Sequence, residues 1–280
     1  FSGCGNTLNC NHPVVAQMIL EALRYWVVEM HVDGFRFDLA SIMTRDQQGN
    51  VLSNPPVVEI IAKDPVLANT KIIAEAWDAV GLYQVGDFPA HQRWAEWNGK
   101  YRDILRRFCI GTTGLTGEVA SRLSGSEDMY QASGRKPYHS INFITAHDGF
   151  PMMDLVSYNE KHNMANGENN RDGGNDNFSY NFGVEGPTDN SEIIHQRKKQ
   201  IFNYITLLMI SQGTPMILAG DEFGRSQGGN NNVCFQDNEL FWLDWNLLEP
   251  NRDIFNYWKH IIQFRKKHPV LHREKYFTGK

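Results

Sequence analysis

"VDGFRFDLAS", residues 32–41, alternates. Phe35, Phe37 and Leu39 fall on one side of an extended chain, and Gly34, Arg36 and Asp38 on the other, which is the two-residue period of a strand. The first side suits a core. The second carries a cation and an anion two residues apart, so the stretch predicts a strand over 34–39 with a polar face fit for chemistry.

Further strands are expected at "KIIAEAW", 71–77, at "SINFITAHD", 140–148, and at "PMILAGDE", 215–222. Helices are expected between them. "NCNHPVVAQMILEALRYWVVEM" opens with Asn11 as a cap and Pro13 in the first turn. Val15, Ile19, Ala22, Trp26 and Met30 then recur at helical spacing. Residues 101–110 and 115–123 read as helices, as do 191–213 and a closing segment, 254–269, stopped by Pro269. Strands separated by helices predict an α/β fold with a parallel sheet, whose buried strands read as near-continuous apolar runs. Asp38, Glu75, Asp148, Asp221 and Glu222 cluster toward the carboxyl ends of these strands, the edge at which such folds bind ligands.

The chain has 280 residues, 41% hydrophobic and 12% aromatic, with a net charge of −5. That is enough for one large domain or two small ones. Charges of both signs are mixed throughout, which argues against a nucleic-acid surface or a polybasic membrane patch. Apolar runs such as "ITLLMI", 205–210, are far too short to span a bilayer, and the amino end has no signal-peptide pattern. The chain starts at Phe1 rather than Met and is read as processed or as a fragment. The four cysteines, Cys4, Cys10, Cys109 and Cys234, form neither a CxxC pair nor a dense framework, which favours a reducing compartment. Long inserts rich in Asn, Gly and Asp occupy 157–190 and 224–238. Tyr158, Phe178, Tyr180 and Phe182 mark the first as a folded binding loop rather than a low-complexity tail.

Two carboxyl groups stand out. Arg36 favours an ionised Asp38 and fixes its direction, which suits a nucleophile or electrostatic stabiliser. Glu75 lies in sequence between Ala74, Ala76 and Trp77, whose apolar character disfavours a charged carboxylate and suits a general acid. Two carboxyl groups with opposed environments are a signature of glycosidic bond cleavage. Asp148 supplies a third carboxylate, with His147 beside it. An Arg–Asp pair taken alone is more often structural than catalytic.

"DGFRFDLA", "IIAEAW" and "FITAHDG" resemble three signature segments of the α-amylase-type glycoside hydrolases. "SGCGNTLNCNHPVV", "RWAEWNGKYRD", "HDGFPMMDLVSYN" and "NGENNRDGGNDN" are similar to the isoamylase-type debranching branch of that family, in its plant and algal form. The resemblance runs from Phe1 to about Pro269. It implies Asp38 as nucleophile, Glu75 as acid/base and Asp148 as transition-state stabiliser. Arg36, His147 and Trp77 are implied as substrate-site residues. It implies hydrolysis of α-1,6 branch linkages in amylopectin- or glycogen-type glucans by a retaining double displacement that needs no metal or organic cofactor. The implied partners are the branched α-glucan and homo- or hetero-oligomers with related debranching subunits, without nucleic acid or membrane. The implied compartment is the plastid, or the cytoplasm for a bacterial protein. The alternative is a non-catalytic glucan-binding subunit of such an oligomer, against which the presence of all three acids counts.

The family's first signature, an Asp and an Asn–His pair after the third barrel strand, is absent. Residues 1–280 are therefore expected to be the carboxyl-terminal portion, about strands four to eight, of a (β/α)8 TIM barrel, without the family's amino-terminal β-sandwich and carboxyl-terminal β domain. Pro151 stands where the family has Thr, and Val80 where it has Gly. Trp77, Tyr83, Trp94 and Trp97 are rim aromatics able to stack on sugars, although each taken singly is more often core.

Overall fold

A computed structural model describes residues 3, 5–90 and 92–278. Cys4 lies outside the described residues, and Cys10, Cys109 and Cys234 are free thiols. In chain order the main elements are α1 (Pro13–Val28), β1 (Gly34–Phe37), α2 (Pro56–Lys63), β2 (Lys71–Ala74), β3 (Ala95–Trp97), α3 (Gly99–Cys109), α4 (Thr116–Leu123), α5 (Glu127–Tyr130), β4 (Ser140–Asn142), α6 (Met152–Leu155), α7 (Ser191–Ile210), β5 (Thr214–Pro215) and α8 (Arg252–Lys267). The chain divides into two compact units. The first comprises residues 1–98, 126–141 and 274–280, and the second 99–125 and 142–273.

In the first unit β1, β2, β3 and β4 pair in order and in parallel, with Arg36 opposite Ile73, Ala74 opposite Glu96 and Trp97 opposite Ile141. The core gathers Val57, Val58, Ile61, Ile72, Ala74, Phe88 and Trp94, with Phe35 and Phe37 packed against it. The apolar side of the opening stretch is thus the inward one. The strand is shorter than its alternation suggests, because Leu39 adopts a left-handed backbone, φ 40°, and turns the chain into a 3-10 helix at Ala40–Thr44. The other expected strands also end early, at Ala74, Asn142 and Pro215, so that Glu75 directly follows its strand while Asp148 and Asp221 each lie six residues beyond theirs.

Helix α1 forms as expected, but with a different cap and face. His12 is the N-cap, its Nδ1 accepting from Val14 N–H. Asn11 instead ties three segments together: its amide donates to the carbonyls of Met43 and Arg45, and its Oδ1 accepts from Val57 N–H. The packed stripe is Ala16, Leu20 and Leu23, whereas Trp26 and Met30 are exposed. Both stripes satisfy the helical period, and only the position of the sheet chooses between them.

Strand β3 has no sequence signal, since its middle residue is a glutamate. Glu96 is fully buried against Arg135. Arg135 also donates to Gly86 O and covers the Tyr130 ring at 4.7 Å, while Glu96 Oε2 accepts from Gly86 N–H at 2.6 Å. Burial pushes the Glu96 carboxyl up, and Arg135 opposes that shift.

The second unit is built on α7. Its stripe of Ile201, Tyr204, Ile205 and Leu208 packs with Tyr101 and Leu105 of α3 and Trp258 of α8. Asn190 caps its start, accepting from the N–H groups of Glu192 and Ile193. Arg265 closes its end, donating to the carbonyls of Met209, Ser211 and Gly213. Among the described residues no helix is long and apolar enough to cross a membrane.

Removing one partner of a buried ion pair leaves the other charge uncompensated. Arg135→Met should therefore destabilise the protein by about 3–5 kcal/mol, read from urea unfolding midpoints. A loss no larger than that of an exposed arginine, such as Arg252→Met, would show that the Glu96 set does not anchor β3.

Candidate active site

In the first unit the candidate residues meet on one guanidinium. Arg36 lies within β1, and Asp38 follows the end of that strand. Glu75 follows the end of β2, one step beyond the Phe37–Ala74 pair. Arg36 Nη1 donates to Asp38 Oδ1 at 2.9 Å, and Arg36 Nη2 lies 2.8 Å from Glu75 Oε1. The second contact is a close ion pair, not an aligned hydrogen bond, and Nε meets no acceptor among the described residues. The Arg36 Cζ lies over the Trp97 ring, 4.2 Å from its centroid.

The two carboxylates live in different surroundings. The Asp38 side chain is 73% exposed and that of Glu75 only 4%. Burial of Glu75 agrees with its apolar sequence neighbours. Its carboxylate is not in apolar surroundings, however, because Arg36 lies on one oxygen and Leu39 N–H donates to the other at 2.6 Å. The backbone repeats the link: Ala40 N–H donates to Glu75 O, and Glu75 N–H to Phe37 O. The left-handed Leu39 thereby aims its N–H at Glu75. Strain of this kind at a bulky residue persists only where the surroundings over-determine it.

Trp77 is half-buried on a hairpin and stacks on Tyr83, with centroids 5.9 Å apart and planes 8° from parallel. The hairpin is held by Asp78, which accepts from Val80 and Leu82 N–H and pairs with Arg45 at 2.7 Å. Val80 is exposed at its tip. Of the four rim aromatics, Trp94 and Trp97 are core residues, at 0% and 7% exposure, so neither offers a sugar a face.

In the second unit His147 and Asp148 are both exposed, with His147 Nε2 3.4 Å from Asp148 Oδ2. Strand β4 ends at Asn142, five residues earlier, so the alternation that would separate two strand neighbours does not apply. The segment carrying them is held from both ends. Asp221 accepts from Thr145 Oγ1 and, at 2.8 Å, from Met152 N–H. Asp154 accepts from Ser226 Oγ and from the N–H groups of Gln227 and Gly229. Gly149 N–H donates to Asn231 O. Pro151 serves as the N-terminal flank of α6, its carbonyl accepting from Asp154 and Leu155 N–H.

The Asn-rich inserts are an ordered polar web. Asn231 accepts from Asn163 Nδ2 and donates to Gly174 O and Asn177 Oδ1. Asp172 joins Asn166 to Asn232. Gly173 is required here, since a Cβ at that position would lie 2.2 Å from Asn231 Oδ1, and its φ is +68°. Among the described residues no group of three or more His, Cys, Asp or Glu is gathered to hold a metal ion.

Residues 3–240 match the alpha-amylase catalytic domain family. The chain belongs to that family. It is 56% identical to "Isoamylase 3, chloroplastic" of Oryza sativa over 279 residues, 99% of this chain and 36% of that one. It is 54% identical to "Glycogen operon protein GlgX homolog" of Mycobacterium bovis over 280 residues, all of this chain and 38% of that one. The chain thus spans less than two-fifths of these relatives. Its fold is that of a pullulanase type I from Bacillus subtilis, with a TM-score of 0.74 at 21% identity over 98% of this chain and 36% of that one. It is accordingly part of an α-amylase-type barrel.

Two buried carboxyl groups make stability depend on pH. Desolvation pushes Asp221 up to about 7 and Asp154 up to about 6, against the hydrogen bonds they accept. Glu222 raises Asp221 further, while Arg225 opposes that shift. A carboxyl whose folded pKa lies above its unfolded one contributes stability that is present at low pH and lost as pH rises through the folded value. Between pH 5 and 8 the Asp221 contribution should fall by about 2–3 kcal/mol. Asp221→Asn should remove that part of the decline in urea midpoints. An unchanged decline in the variant would place the titration elsewhere.

Proposed function

We propose that this chain supplies the nucleophile and the acid/base of a retaining glycoside hydrolase that cleaves α-1,6 branch linkages of amylopectin- or glycogen-type glucans, and that residues 1–280 are part of its catalytic (β/α)8 barrel domain. The observation that carries the reading is the Arg36 guanidinium set between an exposed Asp38 and a buried Glu75. Asp38 attacks the anomeric carbon, forming a carbon–oxygen bond to its carboxylate. The glycosidic oxygen leaves with the proton of Glu75. Glu75, now ionised, takes a proton from water as that water attacks the anomeric carbon, releasing Asp38 and returning the proton to Glu75. Asp148 and His147 are assigned sugar binding and charge stabilisation from the likeness of "FITAHDG", and Trp77 sugar stacking. Linkage preference follows the isoamylase and GlgX relatives, and the plastid follows those named chloroplastic.

Arg36 links the two acids electrically. When Glu75 is protonated the guanidinium charge falls wholly to Asp38. When Glu75 ionises after proton donation, its new charge meets a cation already in place, without reorganisation. The web around Asn163 and Asn231 fixes the loops that bear on glucan binding.

In the complete protein Asp38→Asn should leave less than about 1% of the rate of reducing-end release from amylopectin while glucan binding persists, because an amide is nearly isosteric and a poor nucleophile. Rates within a few-fold of the parent would remove Asp38 from the mechanism. Asn231→Ala should raise KM for branched glucan by about threefold with a smaller change in kcat, since it loosens loops and leaves Asp38 and Glu75 in place. A pure kcat loss would contradict the loop assignment.

A further inference from the structure

We propose that Trp97 is a positioning residue for Arg36 and, through it, for both carboxylates, a role that rests on the reading of Asp38 and Glu75 given above. A guanidinium has five N–H donors and is steered mainly by directional bonds. Arg36 has few. Nη1 is aligned on Asp38, a side chain that is itself 73% exposed. Nη2 reaches Glu75 off-axis, and among the described residues Nε meets no acceptor. The plane could tilt about its stem and lose one carboxylate. The Trp97 ring lies beneath its Cζ, with 4.2 Å to the centroid, in a geometry where the ring's negative face attracts the cation.

That ring stands on fixed backbone. Trp97 is the last residue of β3 and pairs with Ile141. Asn98 N–H donates to Ile141 O at 2.9 Å, and Asn98 Nδ2 donates to the hydroxyls of Ser126 and Ser140. The preceding residue, Glu96, is locked to Arg135. At 7% exposure the ring has no free face for a sugar, which separates this role from substrate stacking. Trp97 thus connects the buried Glu96 set to the orientation of the two reacting groups.

The test is a double-mutant cycle in the complete protein, with amylopectin debranching as the assay. Trp97→Leu should lower kcat by about tenfold, the size of a partly desolvated cation–π contact, with Trp97→Phe recovering most of the loss. KM should stay within about twofold, because the ring does not touch substrate. In an Arg36→Lys background Trp97→Leu should cost less than about twofold further, since the flat partner is already gone. Fully additive losses, or a rise in KM alone, would overturn the proposal. A readout without turnover uses 15N-arginine labelling: slow rotation of the Arg36 guanidinium in the parent should become fast in Trp97→Leu and stay slow in Trp97→Phe. Unchanged rotation in Trp97→Leu would refute the stack. If Asp38→Asn kept turnover while rotation responded as expected, the catalytic reading would fail and the contact would stand.

Discussion

The candidate site in the first unit depends on one cation facing two anions of unequal exposure. Asp38 and Glu75 come from the ends of neighbouring parallel strands, and Arg36 reaches both from one step inside β1. Carboxylates this close repel unless a positive charge lies between them, and a shared guanidinium removes that cost while holding each in a set direction. The rest of the first unit serves that arrangement. The β1–β2 register fixes where the two acids emerge, Leu39 turns left-handed to give Glu75 a second partner, and Trp97 backs the guanidinium.

The second unit solves a different problem. His147 and Asp148 are exposed on a segment beyond the end of a three-residue strand, with no ladder to stiffen them. Two fully buried carboxyl groups and a web of asparagines do that instead, tying residues 145–152 to 221–231. Buried carboxyl groups with raised pKa values are common markers of reacting groups. Here burial pushes Asp221 up to about 7, yet its partners are a threonine hydroxyl and a backbone N–H. Its proton economy is therefore read as structural, and geometry decides against the pKa as a guide to catalysis.

The parts of the site legible in sequence were those written in local periodicity. Alternation placed Arg36 and Asp38 on one side, and the 2.9 Å bond between them is the result. It also overran, because nothing local reveals that Leu39 turns left-handed. The apolar neighbours of Glu75 indicated its burial but hid its ion pair, which arises from strand register across 39 residues of sequence. Strand β3 was invisible because a buried glutamate at its centre mimics a surface residue until Arg135, 39 residues on, is brought against it. For the same reason Trp97 read as a rim aromatic. Motif likeness named the three acids together, since it carries long-range information that composition and periodicity do not.

The central claim is that Asp38 forms the covalent bond to sugar while Glu75 transfers the proton. The most direct measurement is to trap the complete protein with a fluorinated α-glucosyl fluoride that accumulates the intermediate, digest it and locate the added mass by tandem mass spectrometry. The account predicts a single glycosyl adduct on Asp38, within the peptide bearing "VDGFRFDLAS", and persistence of that adduct when Glu75 is replaced by Gln. An adduct on Glu75 or Asp148, or turnover of the reagent with inversion and no adduct, would contradict it.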